Sequence, residues 1–133
     1  MVLATEYHLE ESTAPTFQPV SVANVKDRLN VEFNDDDAVI SDYIDEATNI
    51  YQEELSLQFS TATYKQHMDG FRDHIDLMRP PVSSVSSITY LDSDGAEQTL
   101  ATSVYRTVLT GPVPYVELAY NQTWPTTRGI SRD

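Results

Sequence analysis

An α+β fold, with N-terminal helices packed with a small, mainly antiparallel β-sheet module, follows from three observations. Apolar residues recur at helical spacing before residue 58, they alternate with polar ones at a period of two beyond it, and turn residues punctuate the second half. A run of helices followed by a run of strands argues for segregated layers rather than a parallel βαβ sheet. The chain divides accordingly into an extended acidic arm over 1–17 and a single domain over 18–133. Within that domain, 18–58 is helical and 60–125 is β-rich. Its 133 residues suffice for one modest core.

The arm carries Glu6, Glu10 and Glu11 among Thr, Ser and Pro15 with no apolar period, so order there requires a partner. Ser21 is placed to cap a short helix, Val22 to Leu29, with Val22, Val25 and Leu29 on one face. Asn30 suits the left-handed position that ends it. The run Asn34-Asp35-Asp36-Asp37 opens a long helix, roughly Asp36 to Leu55, where carboxylates meet free N–H groups and the positive end of the dipole. Inside it Val39, Ile40, Tyr43, Ile44, Ala47, Ile50, Tyr51 and Leu55 form one stripe. Asp42, Asp45, Glu46, Asn49, Gln52 and Glu53 take the other side. Two helices are too few to cover that stripe, which leaves it to the sheet or to neighbouring subunits.

Beyond Gln58, Ala62, Tyr64, Gln66 and Met68 alternate with Thr63, Lys65 and His67, and Asp69-Gly70 makes a turn. A strand over Asp73 to Met78 follows. Pro80 and Pro81 then form a rigid corner, each pushing the residue ahead of it into an extended conformation. Val85 to Leu91 pairs with Glu97 to Leu100 across Asp94-Gly95, which supplies the positive φ of a tight hairpin. Tyr105 to Leu109 and Tyr115 to Tyr120 complete the strands around Gly111-Pro112.

Eight basic residues stand against 21 acidic ones, giving a net charge of −13 and a pI near 4.3. The first 60 residues hold thirteen of the acids and two of the bases. Such a surface does not release counterions from phosphates, which argues against sequence-specific nucleic-acid binding. It suits a wall along which DNA slides without sticking, and equally plain solubility. No run approaches the ~20 apolar residues of a membrane span, and the N-terminus lacks the basic flank and apolar core of a signal peptide. With no cysteine, a disulfide scaffold and a thiolate metal site are both excluded.

No constellation of catalytic chemistry emerges. Asn34 to Asp37 lacks the alternate spacing and central glycine of a calcium loop and reads as a helix start. Asp92-Ser93-Asp94-Gly95 with Glu97 lacks the spacing to a twelfth-position Glu and lies between two strand patterns, so it reads as a hairpin turn. His8, His67 and His74 fall in no zinc-binding spacing. Ser83, Ser84, Ser86 and Ser87 lie outside any nucleophile elbow, and four glycines in all make a phosphate cradle hard to build. The expectation is no enzyme, no catalytic residue, no metal and no cofactor.

Several of these segments, in this order, resemble the head–tail connector (adaptor, or head-completion) family of tailed bacteriophages. Pro19-Val20-Ser21 with Lys26, Arg28-Leu29-Asn30-Val31 is similar to the family's opening. Asp35-Asp36-Asp37-Ala38-Val39-Ile40 followed by Tyr43-Ile44-Asp45-Glu46-Ala47 is similar to its acidic-start helix. Arg79-Pro80-Pro81 with Val85-Ser86-Ser87-Ile88-Thr89-Tyr90, then Asp94-Gly95, Tyr105-Arg106 and Asn121-Gln122-Thr123-Trp124-Pro125, complete the pattern. Relatives generally continue past the Trp-Pro segment with another strand and a helical portion, whereas this sequence stops at Ile130-Ser131-Arg132-Asp133. It is therefore either a short member or a partial stretch.

The resemblance implies a structural virion protein without catalytic activity, sited in the neck at the head–tail interface and assembled in the cytoplasm of the bacterial host. Connector subunits form a homo-oligomeric ring, usually twelvefold, beneath the portal protein after genome packaging. The ring extends the DNA channel, passes DNA without sequence-specific binding, and docks the next neck (stopper) or tail protein. On that expectation Tyr43, Ile44, Ile50 and Tyr51 contribute to subunit contacts, and Asp42, Asp45 and Glu46 face the channel or a partner. The rival reading is a small acidic binding module, such as a DNA-mimic inhibitor, motivated by the net charge and the acidic helix.

Overall fold

A computed structural model describes residues 8–128. Among them are two α-helices and seven short strands, an α+β arrangement. Strand β1 (His8–Thr13) pairs with β2 (Thr63–His67); α1 (Val22–Leu29) and α2 (Asp37–Leu55) lie between them in the chain. Strands β3 (His74–Asp76), β6 (Tyr105–Val108) and β7 (Tyr115–Leu118) make a three-stranded antiparallel sheet in the order β3-β7-β6. Strands β4 (Thr89–Leu91) and β5 (Glu97–Thr99) form a separate hairpin. The chain divides into two compact units, Glu11–Lys65 and the remainder, with the division falling inside both β1 and β2. Residues 8–13 of the arm read over 1–17 are thus a strand, while 1–7 lie outside the described residues, as do 130–133 where the sequence stops.

The β unit holds every fully buried apolar side chain among the described residues. Ile75, Leu100, Tyr105 and Val116 form this core, with Val116 only 1% exposed. The register explains the grouping. Ile75 faces Val116 across β3–β7, and Tyr105 stands opposite Leu118 across β6–β7. His74, Asp76, Arg106 and Glu117 alternate onto the other face, where Arg106 pairs with Glu117 and His74 with Asp76. Phe71 stacks on Trp124 with centroids 4.7 Å apart and meets Tyr90 edge-on, tying the hairpin to the same core.

The hairpin turn is organised by one carboxylate. Asp92 Oδ1 accepts from the Asp94 and Ala96 N–H groups, and Asp92 Oδ2 accepts from the Gln98 amide. Gly95 supplies the φ of +84° that closes it, and an added Cβ there would stand 2.8 Å from the Arg128 guanidinium. The Gln98 amide, then the Ala96 N–H, hold the Asp92 carboxyl below its ordinary value of 3.8.

Three local expectations need correction. The strand read over Val85–Leu91 is regular only at Thr89–Leu91, because its partner β5 offers only three residues. Upstream, Val85 and Ile88 still pack on the core, and Ile88 O accepts from the Leu100 N–H at 2.8 Å. Arg79, expected to be extended ahead of Pro80, has φ +60°. The two residues before it are held in place, the Leu77 N–H by Pro114 O and the Met78 N–H by Gln66 Oε1, so the chain reverses at Arg79 against its local preference. The Pro80-Pro81 bond is cis. Asp36, at the start of α2, makes no side-chain capping bond. Asn34 and Asp37 instead accept from the Lys26 ammonium, at 2.6 and 2.7 Å.

Replacing Ile75 by Ala should cost about 3 kcal/mol in urea unfolding, whereas Ile50→Ala, on an exposed face of α2, should cost less than about 1 kcal/mol. Asp92 has a lowered folded pKa, so it stabilises the fold above the unfolded pKa and loses that contribution as pH falls through the folded value. The gap in urea midpoint between the native chain and Asp92→Asn should therefore be widest near neutrality and close below roughly pH 4. A gap that stays constant to pH 2 would show that the carboxylate is not the source.

Candidate interaction surface

The helical unit is held by polar ties more than by apolar burial. Ser21 caps α1 by accepting from the Asn24 N–H, and Asn30 ends it in the left-handed conformation, φ +55°. The Lys26 side chain then crosses to the start of α2, ion-paired with Asp37. Ahead of α1, the Gln18 amide donates to Ser41 O, Ser41 Oγ and Asp45 Oδ1, fastening the incoming segment to the middle of α2. At the far end Ser56 terminates α2 with φ +52°, and Gln52 Oε1 accepts from the Phe59 N–H at 2.9 Å. Gln52, assigned by periodicity to the solvated side, is the one buried residue of α2. Its amide substitutes for a helical partner just past the last turn, which is worth more there than an apolar side chain.

The apolar stripe read along α2 splits in two. Ile40 and Ile44 are half-buried, on the side that also holds Ser41, Thr48 and Gln52. Tyr43, Ile50 and Tyr51 are exposed by 66, 49 and 57%, and Val39 by a similar amount. Val39, Tyr43 and Ile50 lie at i, i+4 and i+11, so they stack on one face of the helix. The exposed acids Asp42, Glu46 and Glu53 run beside them. Asp45 stands apart from Asp42 and Glu46, because Gln18 holds it beside Ser41. Of the four residues assigned to subunit contacts, Tyr43, Ile50 and Tyr51 are exposed and Ile44 is half-buried.

The imidazoles are accounted for locally. His67 Nε2 lies 3.1 Å from Glu10 Oε2 with its ring near that of His8, and His74 Nδ1 lies 2.9 Å from Asp76 Oδ1 while its ring packs on Tyr115. Among the described residues no three His, Asp or Glu side chains converge as a metal site would require. No described helix is long and apolar enough to cross a membrane.

Sequence reasoning missed a recess of about 440 Å³ between the 15–19 segment and the Gln52 side of α2. Asp45, Thr48, Asn49, Gln52 and Ser60 supply its polar wall. The spacing of Ser41, Asp45, Thr48 and Gln52, which places polar side chains together on one side of the helix, was its one visible signal.

Residues 19–78, a little under half of the 133, match the family of phage gp6-like head-tail connector proteins, which bears out the resemblance read from the motifs. No curated protein and no solved structure matches the chain. The matched stretch runs from the Pro19-Val20-Ser21 opening through both helices to the end of β3, so it contains the exposed stripe.

Proposed function

We propose that this protein is a ring-forming connector subunit that sits beneath the portal, extends the DNA channel and docks the next neck or tail protein. The observation that carries this reading is the exposed apolar face of α2 within the family-matched segment. A lone subunit has no use for three large side chains, Val39, Tyr43 and Ile50, about half exposed or more along one helix face.

Magnitudes favour a ring built on a template. Covering these side chains yields roughly 1 kcal/mol each, less than the translational and rotational cost of joining two free subunits. Pairwise association in solution is then weak. On a portal, which supplies a second contact, each subunit meets two neighbours and the portal at once, and the small terms act together. The acidic side of α2, with Asp42 and Glu46, faces the channel or a basic partner surface, where it keeps DNA from adhering. The rival acidic-inhibitor reading rests on net charge alone, while the family match supports the connector.

The direct test is to mix the purified protein with its portal and image the complexes by negative stain. Rings on the portal are expected for the native chain. Tyr43→Ala, Ile50→Ala and Tyr51→Ala combined should weaken assembly about 100-fold, equivalent to roughly 3 kcal/mol per interface. Helical content and thermal midpoint should be nearly unchanged, since these groups are exposed. A native protein that remains strictly monomeric with portal present would sink the reading.

A further inference from the structure

We propose that the corner around Arg79 docks on the exposed face of α2 in a second copy of the chain, with its guanidinium set between that copy's Asp42 and Glu46. The inference rests on the connector reading and names the contact between its subunits. Arg79 is partly buried, yet among the described residues it has no hydrogen bond and no ion pair. A guanidinium withdrawn from water without an acceptor is costly. The other bases of residues 66–128 are engaged: Arg72 pairs with Asp69, Arg106 pairs with Glu117, and Arg128 lies against the Gly95 turn. Bonds from the Leu77 and Met78 N–H groups hold the chain through Arg79 at φ +60°, a conformation that a bulky side chain rarely adopts.

The surroundings of Arg79 suit an acidic partner. Residues 77–91 and 98–116 contain no Asp or Glu, in a chain that has 21 of them. The bond from the Leu77 N–H to Pro114 O brings Met78 and Val113 to the same end of the β3–β7 pair, and they are exposed by 43 and 53%. An arginine flanked by exposed apolar side chains has the composition of a contact hot spot.

The chain itself carries the complementary surface. Glu11–Lys65 holds eleven acids and three bases. On α2, Asp42 and Glu46 are exposed one turn apart and have no ion-pair partner among the described residues. Two carboxylates at that spacing match the several donors of one guanidinium. Beside them Val39, Tyr43 and Ile50 offer apolar surface to Met78 and Val113. The two faces differ, so each copy gives its corner to one neighbour and its α2 to the other, the head-to-tail pattern that closes into rings. A single charge pair does not overcome repulsion between copies at −13, so the contact forms once the portal gathers the subunits.

The chain has no cysteine, so introduced thiols report this contact without background. Val113→Cys, at the corner, and Ala47→Cys, on the exposed side of α2, are combined in the full chain, mixed with the portal and treated with a short bismaleimide. The double variant should give a ladder of covalent dimers, trimers and larger multimers. A mixture of the two single variants should give a dimer, and neither alone should crosslink. Arg79→Gly, which suits the left-handed backbone, should leave the urea midpoint equal or higher while weakening ring assembly about tenfold. Rings without the ladder, self-crosslinking of a single variant, crosslinks to the portal in its place, or unchanged assembly of Arg79→Gly would each overturn this contact and leave the connector reading standing. A native chain that forms no rings would overturn that reading, and this contact with it.

Discussion

Unequal burial governs this molecule. Four apolar side chains on the β-rich side are withdrawn from water, while among the described residues of the helical unit the fully buried positions are Gln52 and Ser60, both polar. Hydrophobic burial is the main favourable term in folding, and a unit that lacks it must be held by directional bonds. Lys26, Gln18 and Gln52 are those bonds. Each fastens a loop or helix terminus that has few apolar contacts of its own. The arrangement leaves α2 well placed and incompletely covered.

That incompleteness connects structure to role. A subunit that satisfied all its apolar surface internally would have little to offer neighbours, and one with a large sticky patch would aggregate before reaching its place. Here the exposed apolar side chains Val39, Tyr43 and Ile50 are bordered by Asp42, Glu46 and Glu53 on a chain of strong negative charge. On the connector reading proposed above, mutual repulsion between free copies would oppose premature contact, and a templating partner with basic groups would remove that barrier. On that reading acidity and apolar exposure would act together, one delaying association and the other stabilising it once begun.

Much of this was readable in the residues because local signals agreed with tertiary ones. Ser21 and Asn30 bound α1, the two-residue alternation marked β2, and Asp94-Gly95 closed its hairpin, each through chemistry confined to a few neighbouring positions. The misreadings have a common cause in long-range contacts. Arg79 turns because Pro114 and Gln66, distant in sequence, hold Leu77 and Met78. Gln52 is buried because Phe59 needs an acceptor. Asn34 and Asp37 serve Lys26 rather than a helix end. Periodicity assigned the stripe on α2 correctly as apolar, but it could not divide the stripe into the half that leans inward and the half that looks out. The recess was invisible because it needs the 15–19 segment folded against α2.

Both helices stop on a residue that bears a Cβ, Asn30 and Ser56, in a backbone conformation for which glycine is better suited. At Asn30 the polar amide side chain eases the mismatch, but serine gives less relief, and the strain at Ser56 is on the order of 1 kcal/mol. A glycine at 56 would recover much of that amount with every contact surface left as it is. The last turn of α2 is therefore a margin of unused robustness, open to an engineer who wants a hardier protein with its exposed faces unaltered.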